Sequence, residues 1–374
     1  MIERLRLVNF KSHADTTIAP GRLTALVGPN GAGKTGVLQA LEVMIDLANH
    51  AILDVFEDGA LFNEYLRREQ QKLELELRGK TQGPDSKEWL AWFERSNQGD
   101  KWQYYGNAHW GLNKQPGFEP VAFQDIPFWD FRQTLGDIAL MKMFGKHLHL
   151  PSYRSETPPR LDADGTGLAS VVSYLKGNDR FEPVLAALQA IVPAVKAVRI
   201  EPAKVRVKEN RSIKIDDKDI SYESDREMSG QALVFDFVHA RNISASQVSE
   251  GTLMALALLT LLHSPECPSL VLIDDIETAL HPKAQRELVV QLRKLLDLRP
   301  ELQILFTTHS VYMVDGLQPE EVWGLAIDEQ GISHVARLSE APNLDRWRGV
   351  LSTGELWDAE GEDWIITHGT QQSA

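Results

Sequence analysis

An α/β fold with a mixed central sheet, an antiparallel β subdomain and a helical and β insertion is what three stretches of this sequence predict. Arg22–Val27 reads as a short buried strand, runs into Gly28-Pro29-Asn30-Gly31-Ala32-Gly33-Lys34-Thr35, and continues as a helix from Thr35 to Asn49. Ser269–Asp275 sets an apolar run before two carboxylates, and Leu302–Ser310 sets another before a histidine. Buried strands that end in polar residues and feed helices are the pattern of an open α/β sheet, whose ligand crevice lies at the strand C-termini.

The first stretch satisfies G-x-x-x-x-G-K-[ST] and has the strand–loop–helix context that makes it a P-loop. A strand that stops, a glycine-rich loop and a helix N-terminus leave backbone N–H groups pointing at one spot, which a polyphosphate fits. Gly28, Gly31 and Gly33 permit positive φ, and Asn30, Gly31 and Gly33 bring the main chain close to the anion. Lys34 supplies a point charge for the β- and γ-phosphates and is expected to face solvent in the empty loop. The Thr35 hydroxyl is placed to ligate Mg²⁺, so ATP and Mg²⁺ are the expected cofactors.

Composition bounds the rest. A net charge of −14 argues against a protein that coats nucleic acid non-specifically, since affinity for phosphate backbones grows with the number of Lys and Arg contacts. Lys196, Arg199, Lys204, Arg206, Lys208, Arg211 and Lys214 alternate with Val and Ile at strand spacing, which fits either a local DNA contact or a solvated sheet edge. A single cysteine, Cys267, excludes an internal disulfide and a Cys-based metal cluster. Met1-Ile2-Glu3-Arg4 leads directly into a strand, and the longest apolar run, Leu253 to Leu262, is about half of what a membrane crossing needs. The expected location is the cytoplasm, with no membrane partner.

Taken in order, Ile2 to Phe10 forms a first strand, and Asn9-Phe10-Lys11-Ser12 turns the chain back. Asp54 to Gln70 reads as helix. Residues 71–106 then alternate as Leu73, Leu75, Leu77, followed by Trp89–Phe93 and Trp102–Tyr105, an antiparallel meander whose tryptophans serve packing. Asn107 to Pro127 reads as loop and Phe131 to His147 as helix. Residues 155–230 form the insertion: helices around Thr166–Lys176 and Asp179–Val192, then the basic strands, before Ala232–Phe237 returns to the core. Residues 318–374 hold a strand pair, Val322–Ile327 and Ile332–Leu338, and a tail with Trp347, Trp357 and Trp364.

Ser249-Glu250-Gly251-Thr252 opens the apolar helix that follows it, a second place where a hydroxyl and free N–H groups aim outward. One helix later, Leu270–Ile273 runs into Asp274, which at the end of a buried strand can hold Mg²⁺ beside Thr35. His309, at the end of its own strand, is placed at the same crevice.

G-P-N-G-A-G-K-T, S-E-G-T, L-V-L-I-D-D-I-E-T-A-L-H-P and T-T-H-S, in that order, resemble the ABC-type ATPase heads of the SMC and RecF kind. They look most like the OLD-like ATPases of bacteria (overcoming lysogenization defect). The resemblance covers residues 1–50 and 230–330, and Asp164–Ala169 also looks like a segment common in such stand-alone ATPases. It implies that residues 1–374 are a single ABC-type ATPase domain and a P-loop NTPase. It further implies that Ser249 and Gly251 form the signature, Asp274 is the Walker B acid, Thr278–His281 is the D-loop and His309 is the switch histidine. Such heads sandwich two nucleotides between two subunits, each signature facing the other subunit's P-loop, so a homodimer is implied.

Three departures matter. Asp275 stands where these families usually carry a glutamate base, which leaves Asp275 and Glu277 as rival candidates for that role. No heptad stretch separates the two halves, which excludes a coiled-coil ATPase. The residues after Leu317 are expected to be too few for the Toprim nuclease domain of OLD proteins. The leading expectation is an ATP-hydrolysing head that controls a separately encoded effector, a nuclease or toxin, in bacterial anti-phage defence. The alternatives are a RecF-like repair ATPase that clamps DNA directly and a nucleotide-bound scaffold with vestigial hydrolysis.

Overall fold

The computed structural model describes residues 1–49, 64–80, 88–96, 103–107, 138–143, 145–215, 218–347 and 349–372. In chain order its elements begin with β1 (Ile2–Phe10), β2 (His13–Ile18), β3 (Leu23–Val27), α1 (Lys34–Asn49), β4 (Lys72–Lys80), β5 (Glu88–Ser96), β6 (Gln103–Asn107) and β7 (Ile138–Met141). Next come α2 (Leu168–Gly177), α3 (Glu182–Ile191), β8 (Val195–Ile215), β9 (Lys218–Phe237), β10 (Ile243–Ser244) and α4 (Glu250–His263). Last are β11 (Leu270–Ile273), α5 (Pro282–Leu298), β12 (Gln303–Thr308), β13 (Val322–Ile327), β14 (Ser333–Arg337), α6 (Thr353–Glu360) and α7 (Asp363–Gln372).

Two compact units result, one of Met1–Leu140, Pro268–Glu277 and Leu292–Ala374, the other of Met141–Cys267 and Thr278–Gln291. The first unit holds a mixed sheet in the order β14-β13-β3-β12-β11-β7 and a five-stranded sheet in the order β2-β1-β4-β5-β6. β3, β12 and β11 are parallel neighbours and β13 runs parallel to β3, whereas β14 turns back antiparallel. Every residue of β3, β11 and β12 is buried, as expected of strands covered on both faces.

Both sheets share one apolar core with α1. Val37, Leu38, Leu41 and Met44 of α1 join Leu5, Leu7, Leu73, Leu75 and Leu77 from one sheet and Leu26, Leu272, Leu305 and Leu325 from the other. Burying a leucine contributes about 1.5–3 kcal/mol, so this cluster fixes where α1 starts, and with it the loop before it. Gln303 adds a polar tie: its buried amide bonds Ile2 through both main-chain groups and also reaches the Gly21 carbonyl, each at 2.9 Å. The C-terminal segment is more than a tail, because Ile365 of α7 packs with Ala326 and Ala336 on β13 and β14.

The second unit builds on α4, in which every residue from Gly251 to Leu262 is buried, as in a helix enclosed on all sides. α2 and α3 pack against it and in turn against strands β8 and β9 of the three-stranded sheet β10-β9-β8. The β8–β9 hairpin pairs from Val195↔Phe237 out to Ile215↔Lys218, and Leu233, Val234 and Phe235 return to the core as expected.

Two local expectations are corrected. The helix expected over Phe131–His147 is absent from the described part, where Ile138–Met141 is strand β7 and helix is confined to Gly145–Leu148. A short apolar run such as Ile-Ala-Leu-Met has no period that separates helix from strand, and the open edge beside β11 decides for strand. The helix expected to reach Gln70 also stops early, since Leu66 bridges to Phe10 and Gln70 N–H closes a turn on the Arg67 carbonyl. The loop assigned to Asn107–Pro127 lies outside the described residues beyond Asn107, as do the side chains of Trp89, Trp92 and Trp102. Strands β4, β5 and β6 form the expected antiparallel meander.

Candidate functional site

Because β3, β12 and β11 are parallel neighbours, their C-terminal ends share one edge of the sheet. Lys34 and Thr35 follow β3 through the glycine loop, His309 follows β12, and Asp274, Asp275 and Glu277 follow β11. Gly28, Gly31 and Gly33 take φ of 149°, 82° and 98°, as the loop reading requires.

Lys34 departs from expectation. Its side chain is buried rather than solvent-facing, with Nζ donating to the carbonyls of Gly28 and Pro29, both at 2.9 Å. Desolvation holds its pKa below the usual lysine value, opposed by the carboxylates of Asp275, Glu277 and Asp274. The reason is local: a buried ammonium needs acceptors, and the loop's own carbonyls supply them.

The Thr35 hydroxyl donates to Asp274 Oδ1 at 3.1 Å, so the two expected metal-side residues meet across 239 positions of sequence. Thr307, fully buried on β12, joins them by donating to Asp274 Oδ1 at 2.7 Å and accepting the Asp275 N–H at 2.8 Å. Asp275 itself sits at φ 49°, a left-handed conformation that aspartate tolerates better than most residues, and its carboxylate is half exposed. His309 Nε2 lies 3.9 Å from Asp275 Oδ1. Glu277 Oε1 accepts the His309 main-chain N–H at 2.7 Å, which gives that carboxylate a structural task.

A hydroxyl and a carboxylate about the Asp274–Thr35 contact form a hard-oxygen donor pair, the type that Mg²⁺ takes when phosphates and water complete its shell. Among the described residues no cluster of three or more His, Cys, Asp or Glu could hold a metal alone. The residues present fit the group.

In the second unit, Ser249 is the exposed N-cap of α4, and its hydroxyl caps no backbone N–H but bonds Thr252 Oγ1 at 2.8 Å. Gly251 lies against the main chain at Ala279, where a Cβ would fall 2.1 Å from the Ala279 carbonyl oxygen. The expected signature and D-loop segments are therefore in direct contact within this unit, and the absence of a side chain at Gly251 permits that approach.

The architecture has counterparts among solved structures. An SMC head bound to the C-winged helix domain of ScpA superposes with a TM-score of 0.58 at 13% identity, over 90% of this chain and 96% of that one. An SMC head domain with an extended coiled coil, bound to the C-terminal domain of ScpA from Pyrococcus furiosus, gives 0.53 at 13% identity, over 93% and 99%. The fold is that of an ABC-type ATPase head.

Sequence comparisons relate this head to OLD-like proteins. Residues 1–89 match the family model "AAA ATPase domain", and residues 169–315 match "AAA domain, putative AbiEii toxin, Type IV TA system". The head is 47% identical over 45 residues to the OLD nuclease of Thermus scotoductus, a stretch covering 12% of this chain and 8% of that protein. It is 36% identical over 75 residues to the Septu protein PtuA of Bacillus thuringiensis (20% and 17%) and 38% identical over 88 residues to RecF of Arthrobacter sp. (21% and 22%). The chain thus spans less than a quarter of the length of each of these curated relatives. Among the described residues no helix of the head is long and apolar enough to cross a membrane.

Three residues of the head's site escaped the sequence reading: Thr307, His13 and Ser333. Their signal is a polar residue at a core position. Thr307 closes the apolar run Ile304–Phe306, and His13 takes an inward position of β2 that it shares with Thr16 and Ile18.

Proposed function

We propose that this head binds and hydrolyses ATP with Mg²⁺, closes as a homodimer around two nucleotides, and controls a separately encoded effector, a nuclease or toxin, in cytoplasmic anti-phage defence. The observation that carries the nucleotide part is the meeting of Lys34, Thr35 and Asp274 at one strand edge, with Thr35 Oγ1 3.1 Å from Asp274.

When the polyphosphate enters, Lys34 exchanges the Gly28 and Pro29 carbonyls for phosphate oxygens, and the N–H groups at the start of α1 bind the same anion. Thr35 and Asp274 would hold Mg²⁺, which supplies charge neutralisation on the β- and γ-phosphate oxygens. Asp275 accepts a proton from the attacking water, and His309, fixed through its main chain by Glu277, lies beside it. Asp275 is one methylene shorter than glutamate, which suits slow turnover and a long-lived ATP state.

Support for the defence role comes from the similarity to an OLD nuclease and to a Septu protein, and from the toxin–antitoxin description of one matching family model. A direct DNA clamp by the β8–β9 hairpin draws less support. The register sets Arg206 opposite Glu227, and Lys204 pairs with Glu227 at 3.0 Å, so an acid faces the basic strand there.

Calorimetry with ATP and Mg²⁺ tests the nucleotide reading: the wild type binds and Lys34→Ala does not, and equal affinity in both overturns it. Expression from the native operon tests the effector. A nuclease or toxin that co-purifies supports this reading, and co-purification of DNA alone contradicts it.

A further inference from the structure

Two side chains from outside the glycine loop hold its back. His13 on β2 is fully buried, with Nδ1 3.0 Å from Thr16 Oγ1 and Nε2 3.1 Å from the Gly33 carbonyl oxygen. Ser333, buried at the start of β14, lies with Oγ 2.8 Å from the Ala32 carbonyl oxygen and 2.7 Å from Ser12 Oγ. A carbonyl only accepts, so the His13 proton sits on Nε2 and Nδ1 accepts from Thr16. Ser333 has one hydroxyl proton, which it donates to the Ala32 carbonyl and shares with Ser12 Oγ. Burial lowers the His13 pKa to about 4, which keeps the ring neutral at neutral pH and agrees with this tautomer.

These two carbonyls belong to the peptide units that matter. In a trans peptide the C=O and the following N–H point in opposite directions. Turning the Ala32 carbonyl toward Ser333 therefore aims the Gly33 N–H away from it, and turning the Gly33 carbonyl toward His13 does the same for the Lys34 N–H. The loop is seated directly on the donors: a Cβ at Gly33 would fall 2.6 Å from Ser333 Oγ and 2.7 Å from His13 Nε2. The Ser333 main-chain N–H also bonds the Ser12 carbonyl at 2.9 Å, so both donors belong to one hydrogen-bonded support.

We propose that His13 and Ser333 are positioning residues that preset the Gly33 and Lys34 N–H groups toward the β-phosphate of a nucleoside di- or triphosphate. The proposal rests on the nucleotide reading above. Without either donor the peptide planes are free to rotate, and the phosphate has to order them on binding.

The test is ADP affinity of the full chain by calorimetry, below each variant's melting temperature, for wild type, Lys34→Ala, His13→Phe, His13→Gln and Ser333→Ala. His13→Phe and Ser333→Ala should each weaken ADP by about tenfold, whereas His13→Gln, which keeps an N–H donor, should stay within about threefold. Rescue by glutamine separates positioning from packing. If both donor-less variants fold and bind ADP as the wild type does while Lys34→Ala does not, the proposal is wrong and the nucleotide reading stands. A wild type that binds no ADP overturns both. Should His13→Phe fail to fold, Ser333→Ala decides by the same criterion.

Discussion

The Glu277 carboxylate accepts the main-chain N–H of His309 at 2.7 Å, joining the segment after β11 to the end of β12. A glutamine at 277 keeps an acceptor for that N–H and an alanine does not. Glu277→Gln should turn over ATP within about threefold of wild type, and Glu277→Ala should be slower by about 10–100-fold as His309 shifts. Steady-state phosphate release checks both. Loss of turnover in Glu277→Gln alone would transfer the role of base to Glu277.

Asp275 carries the base role in the proposed mechanism. Asparagine tolerates its left-handed backbone, so Asp275→Asn should leave the fold intact, trap ATP in the dimer and cut turnover by at least about 100-fold. Asp275→Glu should accelerate turnover by restoring the missing reach. Filter binding and single-turnover assays read the two effects, and wild-type hydrolysis by Asp275→Asn would sink the assignment.

Thr307 serves Asp274 and Asp275 at once through one hydroxyl. Thr307→Val keeps the volume but leaves the partly buried Asp275 N–H without its acceptor, which costs about 1 kcal/mol of stability. Turnover should fall with it. Thr307→Ser retains the hydroxyl and should recover most of the activity, with denaturant titration and ATPase rate measured side by side.

Assembly is tested by mixing two dead chains. Ser249 is exposed at the start of α4. Ser249→Arg and Lys34→Ala chains should each be inactive, and their mixture should regain turnover from heterodimers that contain one intact composite site. Mixed dimers that form and remain inactive mean that the site is built within one chain.

His13 makes stability depend on pH in a defined direction. Its folded pKa of about 4 lies below the ordinary value of 6.5, so the unfolded chain takes up a proton that the folded chain refuses. The native state therefore loses about 3 kcal/mol as pH falls from 6.5 to 4, and the loss levels off below that. His13→Gln lacks this term. The difference between the two chains in urea titrations should widen in favour of the variant across that window.

How much of this was readable in advance follows from the range of each interaction. The loop from Gly28 to Thr35, the strand before Asp274 and the strand before His309 announce themselves, because buried strands that end in functional groups leave a contiguous pattern. The position of β7 did not, since a short apolar run takes its conformation from the sheet edge it meets. Thr307, His13 and Ser333 act through partners 20 to 301 residues away, which no window along the chain contains. The burial of Lys34 is not legible in the sequence, because its partners at Gly28 and Pro29 are carbonyls that every residue possesses.

That last feature turns the loop into a threshold. The Lys34 ammonium already has two acceptors, and hydrogen bonds to a charged group contribute about 1.5–3 kcal/mol each. An arriving anion competes with these carbonyls for the ammonium's three N–H donors, so a singly charged or weakly coordinating ion gains little by entering. A nucleotide polyphosphate offers several oxygens and a higher charge, and it can outbid the carbonyls. The loop would thus ignore simple anions at ordinary concentrations, and selectivity for polyphosphate would begin with the lysine's resting contacts, before any contact with the base.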